Sequence, residues 1–286
     1  MGERTLELKN VPVVVNDLED KGFELLKRMV LSKLGLDCSY YRDNYLRRRL
    51  EFRMSAHGIK SYPQYVGLLR SNPDEYDRLI KDLTINYTKF FRDPDVFLHF
   101  KTTILPELLK NKKSIRILSA GCSSGEEPYT LSMIINDVLG LRLKEFSVSI
   151  YAVDIDQKCL KKAGNGEYEE REVAEVERRY LDRYFDKKAN SYQVKDEIRR
   201  LVRFSSMDLT QDLKIKWLDV IFCRNVFIYF SKPAQAIIFK RFHEALGREG
   251  YMVIGKSEML PDEVRGKFTL IDTECRVYRK IDETSS

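Results

Sequence analysis

At 286 residues, with 43% hydrophobic and 33% charged side chains, the chain can bury a sizeable core and lacks the composition of a disordered polymer. That length suits one large α/β domain and a smaller companion. Its 50 basic and 44 acidic residues give a net charge of +6, which favours an acidic partner but does not choose among nucleic acid, anionic lipid and a glutamate-rich protein.

The opening MGERTLELKN is charged where a signal peptide needs an apolar stretch, and no apolar run approaches the ~20 residues that cross a bilayer. We therefore expect a cytoplasmic protein with no direct membrane insertion. Phe23, Leu26, Val30 and Leu34 recur at helical spacing and predict a helix over 18–36, with Gly35 placed to end it. A basic helix is expected over 40–57, and two more over 62–71 and 73–87, beginning at the Ser61–Pro63 and Asn72–Pro73 start signals. These make a helical domain over roughly 1–90. The remainder, 91–286, changes texture from residue 115 onward. Short β-rich runs at Ile115–Ala120, Val148–Val153, Val202–Ser205, Asp219–Cys223 and Tyr251–Gly255 alternate with helical stretches at Glu126–Leu139, Gln157–Ala163 and Pro233–Leu246. Such alternation predicts a parallel sheet covered by helices. Lys267–Ile271 and Cys275–Arg279 read as a closing strand pair, an antiparallel edge on that sheet. The stretch from about 164 to 203 is too long for an ordinary connection of ~2–6 residues and is expected to be a small helical and hairpin insertion, either solvated decoration or a docking element. Cys38, Cys122, Cys159, Cys223 and Cys275 show neither CxxC nor Cys/His spacing, so we expect buried, reduced thiols and no metal site.

After the strand IRILSA comes Gly121-Cys-Ser-Ser-Gly125-Glu126-Glu127-Pro128 and then a helix-forming run. Glycines in a tight strand-to-helix turn let a ligand approach the backbone at the end of the first strand. The pattern is GxxxG where a dinucleotide site has GxGxxG, and Glu126 and Glu127 stand where phosphates would sit. Carboxylates there repel a pyrophosphate and suit a cationic or hydroxyl-bearing ligand. The second strand runs into Asp154-Ile-Asp156, where an acidic residue commonly accepts from ribose hydroxyls. Capping of the following helix would explain an aspartate there equally simply, with Asp156 at least as well placed. The strand LDVIFC ends in Arg224-Asn225, followed by Tyr229 and Phe230, a polar end and an aromatic end for one pocket; core packing would account for the two aromatics as readily.

Several segments together resemble the CheR-type chemotaxis receptor methyltransferases: INYTKFFRD (Ile85–Asp93), SAGCSSGEEPYTLSM (Ser119–Met133), Asp154–Asp156, FSSMDL (Phe204–Leu209), FCRNVFIYF (Phe222–Phe230) and GKSE (Gly255–Glu258). The resemblance implies a Rossmann-like S-adenosylmethionine-dependent methyltransferase domain, mostly parallel with an antiparallel edge, preceded by a small all-α domain, with the cofactor held between them. It implies that Asn86, Thr88 and Arg92 face the cofactor, and that Glu127 and Asp154 hold its amino-acid and ribose portions beside Gly121. Asp208 and Leu209 would flank the adenine, and Arg224, Asn225 and Tyr229 would complete the site. Similar proteins often carry asparagine at the position of Asp208, which puts a side-chain amide contact there in doubt. The implied substrate-recognition feature is a basic second helix. Stepping 100° per residue, Arg42, Arg49 and Arg53 fall within about 40° of one another beside a stripe of Leu46, Leu50 and Met54. The implied partner is the acidic cytoplasmic helical bundle of methyl-accepting chemotaxis receptors, met by a monomer. The short connection Phe185–Val194 lacks the glycines of longer receptor-tail loops, so a receptor tail is not expected to be required.

The implied reaction forms glutamyl methyl esters and S-adenosyl-L-homocysteine, with Arg92 and Tyr229 nearest the transferring methyl. Two other readings share the fold. A nucleic-acid methyltransferase would bind DNA or RNA with strong salt dependence, but the Asn-Pro-Pro-aromatic motif of amino-group methylation is replaced by Arg224-Asn225-Val226-Phe227, and we expect no nucleic-acid partner. A non-catalytic module that senses cofactor or docks receptors would fail a transfer assay.

Overall fold

A computed structural model describes residues 14–282. The charged opening segment that argues against a signal peptide lies in 1–13, outside the described residues, as do 283–286. The chain divides into two compact units, the first ending at Thr84 and the second beginning at Ile85.

The first unit is helical: α1 (Val14–Leu34), a 3-10 turn (Cys38–Tyr40), α2 (Asp43–Ala56), α3 (Tyr62–Ser71) and α4 (Asp74–Leu83). Phe23, Leu26 and Val30 of α1 are buried, as are Leu46, Leu50 and Met54 of α2, Tyr65, Val66 and Leu69 of α3, and Leu79 and Leu83 of α4. These are the apolar stripes of amphipathic helices, and their burial is what holds short helices folded. α4 stops four residues before the expected end at 87, because the Thr84 amide and hydroxyl both donate to the Ile80 carbonyl, at 2.9 and 2.8 Å, and residues 85–89 are irregular. The domain limit expected at 90 therefore compares with a boundary after Thr84. One charged cluster is sealed into this unit. Glu75 has no exposed surface and accepts from Arg53 Nε and Nη2 at 2.9 and 2.7 Å and from the Tyr65 hydroxyl at 3.0 Å, with His57 Nε2 3.1 Å away. A buried carboxylate needs such partners.

The second unit opens with the irregular stretch 85–93 and the helices α5 (Pro94–His99) and α6 (Leu105–Asn111), joined by a π-helical turn (Phe100–Ile104). Then follow β1 (Ser114–Ala120), α7 (Glu126–Leu139), β2 (Ser147–Asp154), α8 (Gln157–Asn165), β3 (Glu167–Glu169), α9 (Arg178–Tyr184), β4 (Phe185–Lys187), β5 (Ser191–Val194), α10 (Asp196–Arg199) and β6 (Val202–Ser206). The chain closes with β7 (Leu218–Cys223), α11 (Lys232–Ala245), β8 (Leu246–Ile254), α12 (Asp262–Arg265), β9 (Phe268–Asp272) and β10 (Val277–Lys280). Seven strands form the order β6-β2-β1-β7-β8-β10-β9. The first five run parallel, and β10 lies antiparallel to both β8 and β9, the expected antiparallel edge. All six residues of β7 are buried, as central parallel strands require. Phe222 packs against Phe97 and Phe100, with ring centroids 6.2 and 5.5 Å apart.

Because β2 leaves β1 on one side and β7 joins it on the other, strand order reverses at β1. Open α/β sheets place ligands at that reversal, beyond the carboxyl ends of the strands. The segment at 164–203 is a separate three-stranded antiparallel sheet, β3-β5-β4, with α9 and α10. Of the five cysteines, Cys38, Cys122, Cys223 and Cys275 are buried and all are free, while Cys159 is half-exposed rather than buried.

Candidate cofactor site

The turn after β1 is shaped by two glycines. Gly121 has φ +76°, and a Cβ there would lie 2.5 Å from Val226 Cγ2; Gly125 has φ +98°, and its Cβ would lie 2.9 Å from that of Ala163. Both conformation and space exclude a side chain. Between them Ser123 also takes a positive φ, 47°.

Asp154, at the end of β2, holds this turn. Its carboxylate accepts from the Ser123 amide at 2.7 Å and the Asp156 amide at 2.9 Å. Burial pushes its pKa up against those two amides. Asp156 does the capping: it accepts from the Lys158 and Cys159 amides at 2.8 and 3.1 Å and starts α8. Its other oxygen takes the Asn86 side-chain amide at 2.7 Å, so Asn86 is anchored to this acidic loop.

On α7, Glu126 and Glu127 diverge. Glu126 turns inward, 2% exposed, with both oxygens near Ser124 Oγ at 2.8 and 2.9 Å, and burial lifts its pKa to about 7. Glu127 accepts from Ser119 Oγ at 2.8 Å and from Arg224 Nη1 at 3.4 Å; burial raises its pKa, and Arg224 opposes the rise. Arg224, itself buried, also donates to the Arg92 carbonyl at 2.8 Å and to the Asp93 carboxylate. The Arg92 guanidinium donates to the Tyr87 carbonyl at 2.9 Å and lies over the Tyr87 ring. Glu127, Arg224, Asp93 and Arg92 thus form one connected chain of polar groups. Thr88 is half-buried in the same irregular segment.

Asn225 takes φ 61°. Its amide donates to Glu258 at 3.0 Å, as do those of Phe227 at 2.8 Å and Gly255 at 2.6 Å. Sequence reasoning assigns Glu258 no role; its only legible signal is an acidic residue four positions beyond the apolar run that becomes β8. Tyr229 is half-buried on a 3-10 turn (Phe227–Tyr229), while Phe230 is buried and belongs to the core. The Asp208 side chain folds onto its own loop, accepting from the Thr210 amide at 2.8 Å and hydroxyl at 2.7 Å, and Leu209 is buried. A side-chain amide at 208 therefore has no counterpart here, as the aspartate spends its oxygen locally.

These groups fit an adenosyl sulfonium. Asn225 Oδ1 is a buried acceptor with no partner among the described residues, Asp154 is a buried carboxylate and Glu127 a largely buried one that gain from a cationic or hydroxyl-bearing group, and Gly121 adds no side chain to the turn between them. Residues 86–277 match the family described as CheR methyltransferase, SAM binding domain, and residues 21–84 match CheR methyltransferase, all-alpha domain. The chain belongs to the CheR methyltransferases.

Proteins named chemotaxis protein methyltransferase align with most of this chain. A chemotaxis protein methyltransferase of Listeria monocytogenes is 33% identical over 86% of this chain and 93% of that protein. The one of Borreliella burgdorferi is 32% identical over 93% of this chain and 96% of its own length, and that of Salmonella typhimurium is 32% identical over 87% of each. The CheR all-α domain contains the expected arginine stripe, which the geometry divides. Arg42 is exposed and Arg49 is half-buried over the Tyr45 ring, but Arg53 is turned inward onto Glu75, with Asp82 at 3.3 Å. Helical phase predicts which residues share a face; it does not reveal a buried acid on the neighbouring helix. S-Adenosylmethionine is the cofactor of this CheR domain. Among the described residues no helix is long and apolar enough to cross a membrane.

Proposed function

We propose that this CheR methyltransferase esterifies glutamate side chains on the cytoplasmic helical bundle of methyl-accepting chemotaxis receptors, acting in the cytoplasm as a monomer. The observation that carries this reading is the pair of CheR domains, matched over nearly the full length of proteins named chemotaxis protein methyltransferase. Bound S-adenosylmethionine supplies a methyl group on a sulfonium that departs as a neutral thioether. A glutamate γ-carboxylate, with an unperturbed pKa near ~4.3, is already ionised at neutral pH, so no general base is required.

The protein's work is then alignment and exclusion of water, which together can lower a barrier by on the order of 7–11 kcal/mol. In this reading Glu127 and Asp154 hold the cationic and hydroxyl ends of the cofactor, with Gly121, Asn86, Thr88, Arg224 and Asn225 around them and Asp208 and Leu209 beside the base. Arg92 and Tyr229 orient the incoming carboxylate. Arg92 must guide it without a tight ion pair, because binding the ground state as strongly as the transition state gives no rate. Arg42 and Arg49 meet the acidic receptor surface.

Incubating the purified chain with methyl-labelled cofactor and receptor cytoplasmic fragments should yield base-labile methyl esters, reduced strongly by Arg92→Ala. Label that resists base, or that appears on nucleic acid instead, overturns the reading; transfer at the unmodified rate by Arg92→Ala removes that residue from the mechanism.

A further inference from the structure

Apart from the cofactor loops, three metal-ligating side chains that lie far apart in sequence converge. His99 ends α5; Asp272 ends β9; Cys275 sits in the turn between β9 and β10. One donor atom from each lies within 4.8 Å of the other two. The His99 Nδ1 to Asp272 Oδ2 separation is 3.2 Å, and the Cys275 amide donates to the other Asp272 oxygen at 2.7 Å, fixing the carboxylate and the thiol in one turn. Tetrahedral zinc, with bonds of 2.0–2.3 Å, holds its donors about 3.3–3.8 Å apart; the histidine and aspartate atoms already stand near that spacing, and separations of up to 4.8 Å to the thiol would close by about 1 Å for the three to share one ion. Cys275 is buried, and His99 Nε2 is buried with no hydrogen-bond partner among the described residues, whereas His99 and Asp272 keep 16% and 28% of their side chains exposed, which leaves an approach from solvent.

We propose that His99, Asp272 and Cys275 form a binding site for a divalent metal ion of the zinc class. Imidazole and thiolate together select zinc or cobalt over magnesium or calcium, which take oxygen ligands. The thiol binds as thiolate and gives its proton to the buffer, the imidazole binds neutral, and a water from solvent completes four-coordination. Asp95 lies one helical turn before His99, with its carboxylate 4.0 Å from Cys275 Sγ, and adds negative charge at the edge of the site; Lys256 pairs with it and moderates the affinity. The bound ion ties the β9–β10 turn to α5.

The full chain, stripped with chelator, is titrated with cobalt(II) and then with zinc. The expected result is one cobalt per chain with a thiolate-to-cobalt charge-transfer band and tetrahedral d–d absorption, both displaced by zinc. Cys275→Ser abolishes the band and Cys38→Ser keeps it; His99→Asn weakens binding by roughly 100-fold or more, since loss even of outer-shell partners costs 10–100-fold. Zinc should raise the Tm of the unmodified chain and leave that of His99→Asn unchanged, a readout that survives if Cys275→Ser does not fold. A charge-transfer band that persists in folded Cys275→Ser, or equal zinc affinity in His99→Asn, overturns the proposal, as does absence of stoichiometric cobalt binding.

Discussion

Glu75 is wholly enclosed, and its carboxylate survives there because Arg53, Tyr65 and His57 surround it. Burial alone would raise its pKa, but those hydrogen bonds hold it below the ordinary carboxylate range. Removing one member of a buried pair costs about 3–5 kcal/mol, so Arg53→Ala should lose that much in urea unfolding of the first unit. Arg42→Ala, at an exposed position, should stay within about 0.5 kcal/mol while raising the KM for receptor; equal stability of the two variants would return Arg53 to the docking surface. The pair's contribution is present above the carboxylate range and fades as pH falls through the lowered pKa. Glu126 works with the opposite sign. Burial lifts its pKa from 4.5 to about 7, so the folded state holds a proton that the unfolded state has released, and stability should decline as pH rises between those values, by up to about 3 kcal/mol. Melting curves of Glu126→Gln should be flatter across that window, and an unchanged slope would assign the pH dependence elsewhere. Neither residue was legible as buried: a sequence shows a charge but not the neighbour that neutralises it.

The elements themselves were largely written in local pattern. Strands β1, β2, β6 and β7 fall within a residue or so of their apolar runs, and α3, α7 and α8 begin at their start signals, because period and capping are properties of adjacent residues. Expectations slipped where tertiary contacts decide. β8 begins at Leu246, inside the stretch expected to be helix or loop, and the closing strand starts at Val277, because Asp272 and Cys275 are used in the turn before it. The insertion's third strand was hidden because β3 and β4 have only three residues each. The GxxxG turn was legible as a ligand loop, yet what forbids a side chain at Gly121 is Val226, a residue far away in sequence. Gly121→Ala should therefore lower both Tm and cofactor affinity, and Val226→Ala added to it should recover part of the loss. No recovery would mean that the positive φ, and not the contact, is decisive.

For the whole molecule, a net charge of +6 is a modest field, yet an acidic receptor bundle would feel it across a Debye length of about 10 Å at 0.1 M salt. Raising the ionic strength should increase the KM for receptor fragments and leave kcat and cofactor affinity nearly unchanged; a fall in kcat alone would place salt sensitivity in the chemistry. The carboxylate of Glu258 has the farthest reach for its size. It gathers amide hydrogens from both the loop that follows β7 and the loop that follows β8, and burial makes it readier than an ordinary glutamate to take up a proton. Neutralising that single clasp would let two walls come loose together, so acidification should release bound nucleotide before the sheet melts, and Glu258→Gln should reproduce the leak at neutral pH.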